Sequence, residues 1–199
     1  MAIANELSYQ QAMQVIVSKA KETLTQPLYD SQDIAAATVG QVVYFNANTI
    51  GTVGLLRTNM ELQGQISSPR QFIVQQLAVI PWPSQAAAAA SIITPVEVAL
   101  LIAQTTIVFT IADKTYLRGP SALFPGGVGV DGFSGTLAGS AHSGIANPGS
   151  RFTLKPGQLI KPTENFNVAL NVPVALAGLA VTPSRVYVVL FGLMLRAVQ

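Results

Sequence analysis

The stretch Val186-Tyr187-Val188-Val189-Leu190-Phe191-Gly192-Leu193-Met194-Leu195 decides how this chain is read. It is apolar at odd and even positions alike. Val, Tyr and Phe are residues that fit a pleated, packed surface. A strand that is apolar on both faces must be central or covered on both sides. Left as an open edge, it would template aggregation. We therefore expect a strand over Arg185–Val198, set inside a β-structure rather than at its margin.

Working outward, Phe166–Val172 and Arg151–Leu154 read as strands, with turns at Lys155-Pro156-Gly157 and Lys161-Pro162. Gln71–Ile80 is a strong strand. Pro81-Trp82-Pro83 is expected to end it, because proline cannot donate to a ladder. Thr105–Ile111 and Thr115–Arg118 form a hairpin around Ala112-Asp113-Lys114. Val42–Phe45 is a short β-run, Ile50–Leu56 is apolar but punctuated by glycine, and Asn59–Gln65 alternates. Gly64 and Ser67-Ser68-Pro69 mark turns.

Two helices are expected. Glu6–Leu24 is rich in Gln, Ala, Met and Lys, and Met13, Ile16, Val17 and Ala20 fall at helical spacing on one face. The second opens at Thr94-Pro95-Val96-Glu97. Thr94 can cap, Pro95 suits the first helical position, and Glu97 completes a capping box. It runs to about Gln104 and is apolar nearly all round, so burial on more than one side is expected, wedged between barrels or subunits. Between Gly119 and Gly149 lies a long segment rich in Gly, Pro, Ser and Ala. A loop of that length in a compact domain is usually functional or an interface element.

About eight strands without regular βαβ alternation predict an antiparallel sandwich or barrel. Eight strands closing as two sheets is the jelly-roll solution. The expected fold is all-β: one jelly-roll domain over residues 1–199. Residues 1–38 would be an N-terminal helical arm. Residues 39–199 would be the barrel, carrying the inserted helix 95–104 and the loop 119–149.

Composition limits what such a domain can do. Charged residues make up 10% of the 199 positions, half are apolar, and the mean hydropathy is positive. A soluble monomer needs a more charged surface, about 25–35% Lys, Arg, Glu and Asp. Either lipid or protein neighbours must cover the excess. The longest apolar run, Ala86–Ala103, holds Pro95 and Glu97 near its centre, and no other run approaches the roughly 20 residues of a span. The strands alternate too irregularly for an outer-membrane barrel. Met1–Tyr9 lacks the basic start and apolar block of an export signal. Protein neighbours are the remaining reading. The net charge of +2 comes from basic residues scattered singly, so no specific nucleic-acid binding is expected. Arg151, Lys155 and Lys161 give an acid-free, mildly basic loop face from Gly132 to Thr163.

Catalytic chemistry finds little to work with. The single histidine, His142, has no His, Asp or Glu cluster around it in sequence, and the chain has no cysteine. Asp131, Ser134 and His142 invite a triad, but Gly132-Phe133-Ser134-Gly135 lacks the Gly-x-Ser-x-Gly frame. Gly126, Gly127, Gly129 and Gly132 lack the Lys-Ser/Thr of a phosphate cradle. The nine acids are dispersed. Trp82, between prolines, reads as a plug for a barrel end rather than a ligand-stacking ring. No catalytic, cofactor-binding or metal-ligating residue is assigned, and no enzyme is expected.

Three segments carry a resemblance. The first is Asn59-Met60-Glu61-Leu62-Gln63-Gly64-Gln65-Ile66 leading into Phe72–Val79. The second is Phe109–Pro125, with Lys114-Thr115-Tyr116-Leu117-Arg118-Gly119-Pro120 and then Leu123-Phe124-Pro125-Gly126-Gly127. The third runs from Ile160-Lys161-Pro162 through Phe166-Asn167-Val168 to Val186–Arg196. Together they resemble the vertical jelly-roll capsid proteins of small tailless icosahedral bacteriophages, some of which enclose a membrane. The likeness is one of pattern, without an invariant motif. It implies a virion structural protein that self-assembles into an icosahedral shell through apolar contacts between copies. A second capsid or vertex protein and an internal membrane are further partners it would allow. Another virion part (decoration, spike base or tail) and a small-ligand-binding β-barrel are the competing expectations.

Overall fold

The computed structural model describes residues 22–82, 95–124, 152–176 and 184–196, together with the helical positions Gln11 and Gln14. Among these, the strands are β1 (Glu22–Thr25), β2 (Leu28–Ile34), β3 (Gly40–Tyr44), β4 (Gln71–Trp82), β5 (Thr106–Ile111), β6 (Lys114–Pro120), β7 (Phe152–Ile160), β8 (Phe166–Val172) and β9 (Ser184–Arg196). The helices are α1 (Ile50–Val53) and α2 (Pro95–Gln104), with a 3-10 turn at Ser121–Leu123. The protein is mostly β, in two antiparallel sheets.

One sheet runs β1-β9-β4-β7, with β2 also on β9; the other runs β3-β8-β5-β6. β1 and β2 share one edge of β9. β1 lies against Leu193–Arg196 and β2 against Ser184–Leu190, with Pro27 in the break between them. They fill a single strand position. The pairings are nested: β2 with β9, β3 with β8, β4 with β7, β5 with β6. This is one long antiparallel ribbon folded over on itself. The further pairings β4–β9 and β5–β8 close the ribbon into two sheets.

The decisive stretch behaves as its composition requires. β9 is an interior strand, flanked by β1/β2 and β4. Val186, Val188, Leu190 and Met194 point into one core shared with Phe72, Val74, Leu77 and Val79 of β4. Phe109, Phe166, Val168 and Leu170 enter the same core from the other sheet. Each fully buried side chain of this kind stabilises the fold by roughly 1.5–3 kcal/mol. α2 spans Pro95–Gln104 as its start signal predicts. Leu101 reaches the core, and Thr105 Oγ1 donates to Leu101 O while sharing a hydrogen bond with Ser121 Oγ.

Three expectations are corrected. Residues 1–38 are not a helical arm throughout, because Glu22–Ile34 supplies β1 and β2 of the first sheet. The helix expected over 6–24 therefore ends before Glu22; apart from Gln11 and Gln14, its earlier part lies outside the described residues. Lys155-Pro156-Gly157 is not a turn but the middle of β7. β7 is an edge strand, and opposite this point the β4–β7 register shifts between Val74 and Gln76, so the proline displaces no ladder bond. Pro81 does not end β4, which continues opposite Val186 and Arg185. Val79 N–H donates to Phe124 O, away from β9. Pro81, two residues on, turns its nitrogen the same way, where β7 no longer runs.

Candidate functional site

No catalytic constellation forms among the described residues, and none of their His, Asp and Glu side chains group in threes that could hold a metal ion. Asp131, Ser134, His142, the glycines 126–132 and nearly all of the loop 119–149 lie outside the described residues. Trp82 closes β4. Lys155 sits in β7 and Lys161 follows it. Between α2 and the sheets is a narrow apolar crevice lined by Val79, Pro81, Leu101, Ile102, Leu170 and Val186, without room for a water molecule. No helix among the described residues is long and apolar enough to cross a membrane.

The built surface feature is a strap over one end of the first sheet. α1 starts after Thr49, whose N–H donates to Thr52 Oγ1, and ends at Gly54 with φ +76. The next residues turn back across β2 and β9. Tyr29 Oη donates to Leu55 O (2.5 Å) and Tyr187 Oη donates to Leu56 O (2.6 Å). Arg57 Nη2 reaches Asp33 Oδ2 at 2.5 Å, and Arg185 Nε reaches Asp33 Oδ1 at 3.1 Å. One carboxylate thus ties the strap to the sheet. Burial, and then the neighbouring Tyr187, raise the Tyr29 pKa, so the Tyr29 hydroxyl stays a protonated donor at neutral pH.

With its backbone carbonyls held down, the strap turns its side chains out. Leu55 is 61% exposed and Leu56 is 66% exposed. Ile50, one turn earlier, is exposed as well. Val39 and Val174 are exposed at the end of the β3–β8 pair. These are large apolar side chains on a chain that is poor in charge. Exposed apolar side chains mark contact surfaces when they are contiguous rather than scattered singly, and Leu55 and Leu56 are adjacent.

The sheet edges are treated unequally. The open edge of β2 is covered by its own chain: Asn59 N–H donates to Tyr29 O, Tyr29 N–H to Asn59 Oδ1, and Asn59 Nδ2 to Pro27 O. β6 carries Lys114, Arg118 and Pro120, which block a further strand. Lys114 Nζ lies 5.3 Å from the Tyr116 ring centre.

Sequence reasoning did not single out Tyr29, Asp33, Arg57, Arg185 or Tyr187. Asp33 and Arg185 are 152 positions apart, and only the β2–β9 register brings them together. The one local signal was Leu55-Leu56 just after Gly54. Arg185 is almost wholly buried, so Asp33→Ala should cost about 2 kcal/mol by leaving a guanidinium short of its partner. Arg57→Ala, whose side chain is more exposed, should cost under about 1 kcal/mol. Urea unfolding of the two variants checks the order. Equal losses would mean that Arg185 does not depend on Asp33.

No protein-family model matches the chain, and no curated protein sequence matches it.

Proposed function

We propose that this chain is a jelly-roll capsid protein, a virion structural component that self-assembles into an icosahedral shell. The observation that carries the reading is the nested pairing, β2·β9, β3·β8, β4·β7 and β5·β6, in two sheets of four strand positions each. A ribbon wrapped in that order is the wiring of a jelly roll, a fold shared by viral capsid domains, lectins and cupins. Fold alone does not select among these. The low charge and the rigidly displayed leucines favour the shell. Its subunits share their surfaces with several neighbours, so apolar side chains that would be a liability in a monomer are buried on assembly.

The mechanism is burial repeated by symmetry. At about 25 cal/mol per Å² of apolar area, each contact can be weak while a closed shell is stable. The purified protein should form large closed particles in negative-stain images. Leu55→Lys with Leu56→Lys should leave the thermal midpoint within about 1 °C, since both side chains face solvent, and should reduce particle yield at least tenfold. Monodisperse monomer at high concentration and physiological salt would overturn the reading. Small closed oligomers alone would point to another virion part.

A further inference from the structure

Between Phe45 and Met60 the chain leaves the core. Phe45 and Met60 are themselves buried in the cluster between the sheets. From Asn46 to Asn59, however, no apolar side chain is buried or packs against that cluster. Ala47, Ile50, Leu55 and Leu56 are exposed, and Val53 is half-buried. The buried side chain in this stretch is a polar one, Thr58. What holds the segment down is therefore polar too. At its first foot, Asn48 Nδ2 reaches Asp30 Oδ1 and Ser31 O, each at 3.2 Å. At its second foot, Thr58 Oγ1 and Asn59 N–H both donate to Tyr29 O, at 3.0 and 3.3 Å. Both feet stand on neighbouring residues of β2. Between them lie the tyrosine bonds to Leu55 O and Leu56 O and the Arg57–Asp33 pair. The segment is also knitted to itself. Gly54 N–H donates to Ile50 O at 3.1 Å, and the Arg57 and Thr58 N–H groups donate to Gly54 O at 3.1 and 3.3 Å.

We propose that residues 46–59 form a latch that opens and closes as one unit over unchanged sheets, and that only the closed latch presents Leu55 and Leu56 as a fixed surface. The energetics follow from what the ties are. On release, hydrogen bonds and a partly exposed ion pair are exchanged for bonds to water, a far smaller loss than uncovering buried apolar side chains. A stretch with few buried apolar contacts opens at lower free energy than the strands beneath it. The internal bonds through Gly54 join α1 to the strap, so the two ends let go together. Phe45 and Met60, seated in the core, are the fixed points about which the segment swings. When it lifts, the two tyrosines no longer hold the leucine carbonyls down, and the leucines lose their common direction. That this surface is an assembly contact rests on the capsid reading; the opening itself does not.

Residue-resolved hydrogen exchange of the unassembled full-length protein, through a series of sub-denaturing urea concentrations, tests this. The Ile50 N–H, bonded to Met60 O at 2.7 Å, reports the α1 end, and the Asn59 N–H reports the other. Both should be at least about 100-fold less protected than Val188 and Leu190 in β9. They should share one opening free energy, with a urea slope under about half that of β9, because less surface is uncovered. Tyr187→Phe removes the bond to Leu56 O. It should speed both amides by one common factor of about two- to tenfold, the net contribution of one hydrogen bond. Arg57→Ala should also speed both by one common factor, which keeps the test in hand if Tyr187→Phe fails to fold. Ile50 and Asn59 exchanging on the same urea isotherm as Val188 would overturn the proposal, since the segment would then open only with the sheets. A native variant that leaves either amide unchanged would overturn it as well, because the two ends would then fluctuate separately. Exchange as expected, from a protein that forms no particles, would sink the capsid reading alone.

Discussion

Gly192→Ala is expected to destabilise the protein by more than about 3 kcal/mol, the upper end of overpacking costs, and to leave little native protein at 37 °C. Gly192 lies opposite Val74, at the point where the β4 register slips before Gln76. The bulge pushes the β4 backbone toward β9. A Cβ at Gly192 would sit 1.9 Å from Ile73 O and 2.9 Å from the Ile73 carbonyl carbon, with Phe72 Cζ at 3.1 Å. Two of these atoms are backbone in the interior strand next to it, so relief requires breaking the β4–β9 ladder, the longest in the fold. Glycine inside a strand commonly marks such a close approach. Two other glycines calibrate the claim. At Gly157 a Cβ would meet Val74 O at 3.0 Å, but β7 is an edge strand that can shift, so Gly157→Ala should cost about 1–2 kcal/mol. At Gly51, in α1, nothing lies within 4 Å, and Gly51→Ala should be neutral or mildly stabilising. Urea unfolding of the three variants should rank them in that order. A Gly192→Ala midpoint matching Gly51→Ala would show that β4 is free to move away.

That glycine also shows how far the sequence could be read. Strands driven by apolar pattern were legible: β9, β8, β5 and most of β4 stand where Val, Ile, Leu and Phe concentrate. α2 was legible because its start is chemical, Thr94-Pro95 with Glu97. β1 and β2 were not. Leu28–Ile34 places Asp30 and Gln32 on the same side as Leu28 and Ile34, so its alternation carries no hydrophobic signal. Its partners in sequence are remote: Phe45 for Asp30, Arg57 and Arg185 for Asp33. A strand whose inward positions are polar becomes a strand only after the groups that satisfy them have arrived. Pro156 inside β7 and Pro81 inside β4 misled for a related reason. Whether proline breaks a ladder depends on which side its nitrogen faces, and that is a property of the sheet, not of the local residues. The exposed apolar strap was half legible. Leu55-Leu56 after Gly54 is visible in the sequence, but the tyrosines that hold both leucines outward are set by tertiary register.

Asp30→Ala should cost about 3–5 kcal/mol, because it strips the acceptor from several donors at once. Asp30 is fully buried on the inward side of β2. Its Oδ2 accepts Phe45 N–H at 2.7 Å, and its Oδ1 accepts Ser31 N–H at 2.9 Å and Asn48 Nδ2 at 3.2 Å. Phe45 is a buried non-glycine residue at φ +69, a conformation that persists only when its surroundings hold it. Asp30 holds its N–H, and Gly64 N–H donates to its carbonyl at 2.5 Å. Without the carboxylate, the turn after β3 has no reason to adopt this shape. Asp30→Asn should recover only part of the loss. One side of the new amide must face either Phe45 N–H or the Ser31 and Asn48 donors with an N–H of its own. The pH dependence identifies the dominant force. Burial raises the Asp30 pKa, outweighing the hydrogen bonds from Phe45, Asn48, Ser31 and Thr58 that lower it. A carboxyl whose folded pKa lies above its unfolded value of 3.8 stabilises most below that value, and the contribution fades as pH rises through the folded pKa. The stability gap between the wild type and Asp30→Ala should therefore be wider near about pH 4 than near about pH 7. Urea midpoints of both proteins across that range measure it. A gap that narrows on acidification would mean that these donors outweigh burial and that the buried carboxylate is held ionised.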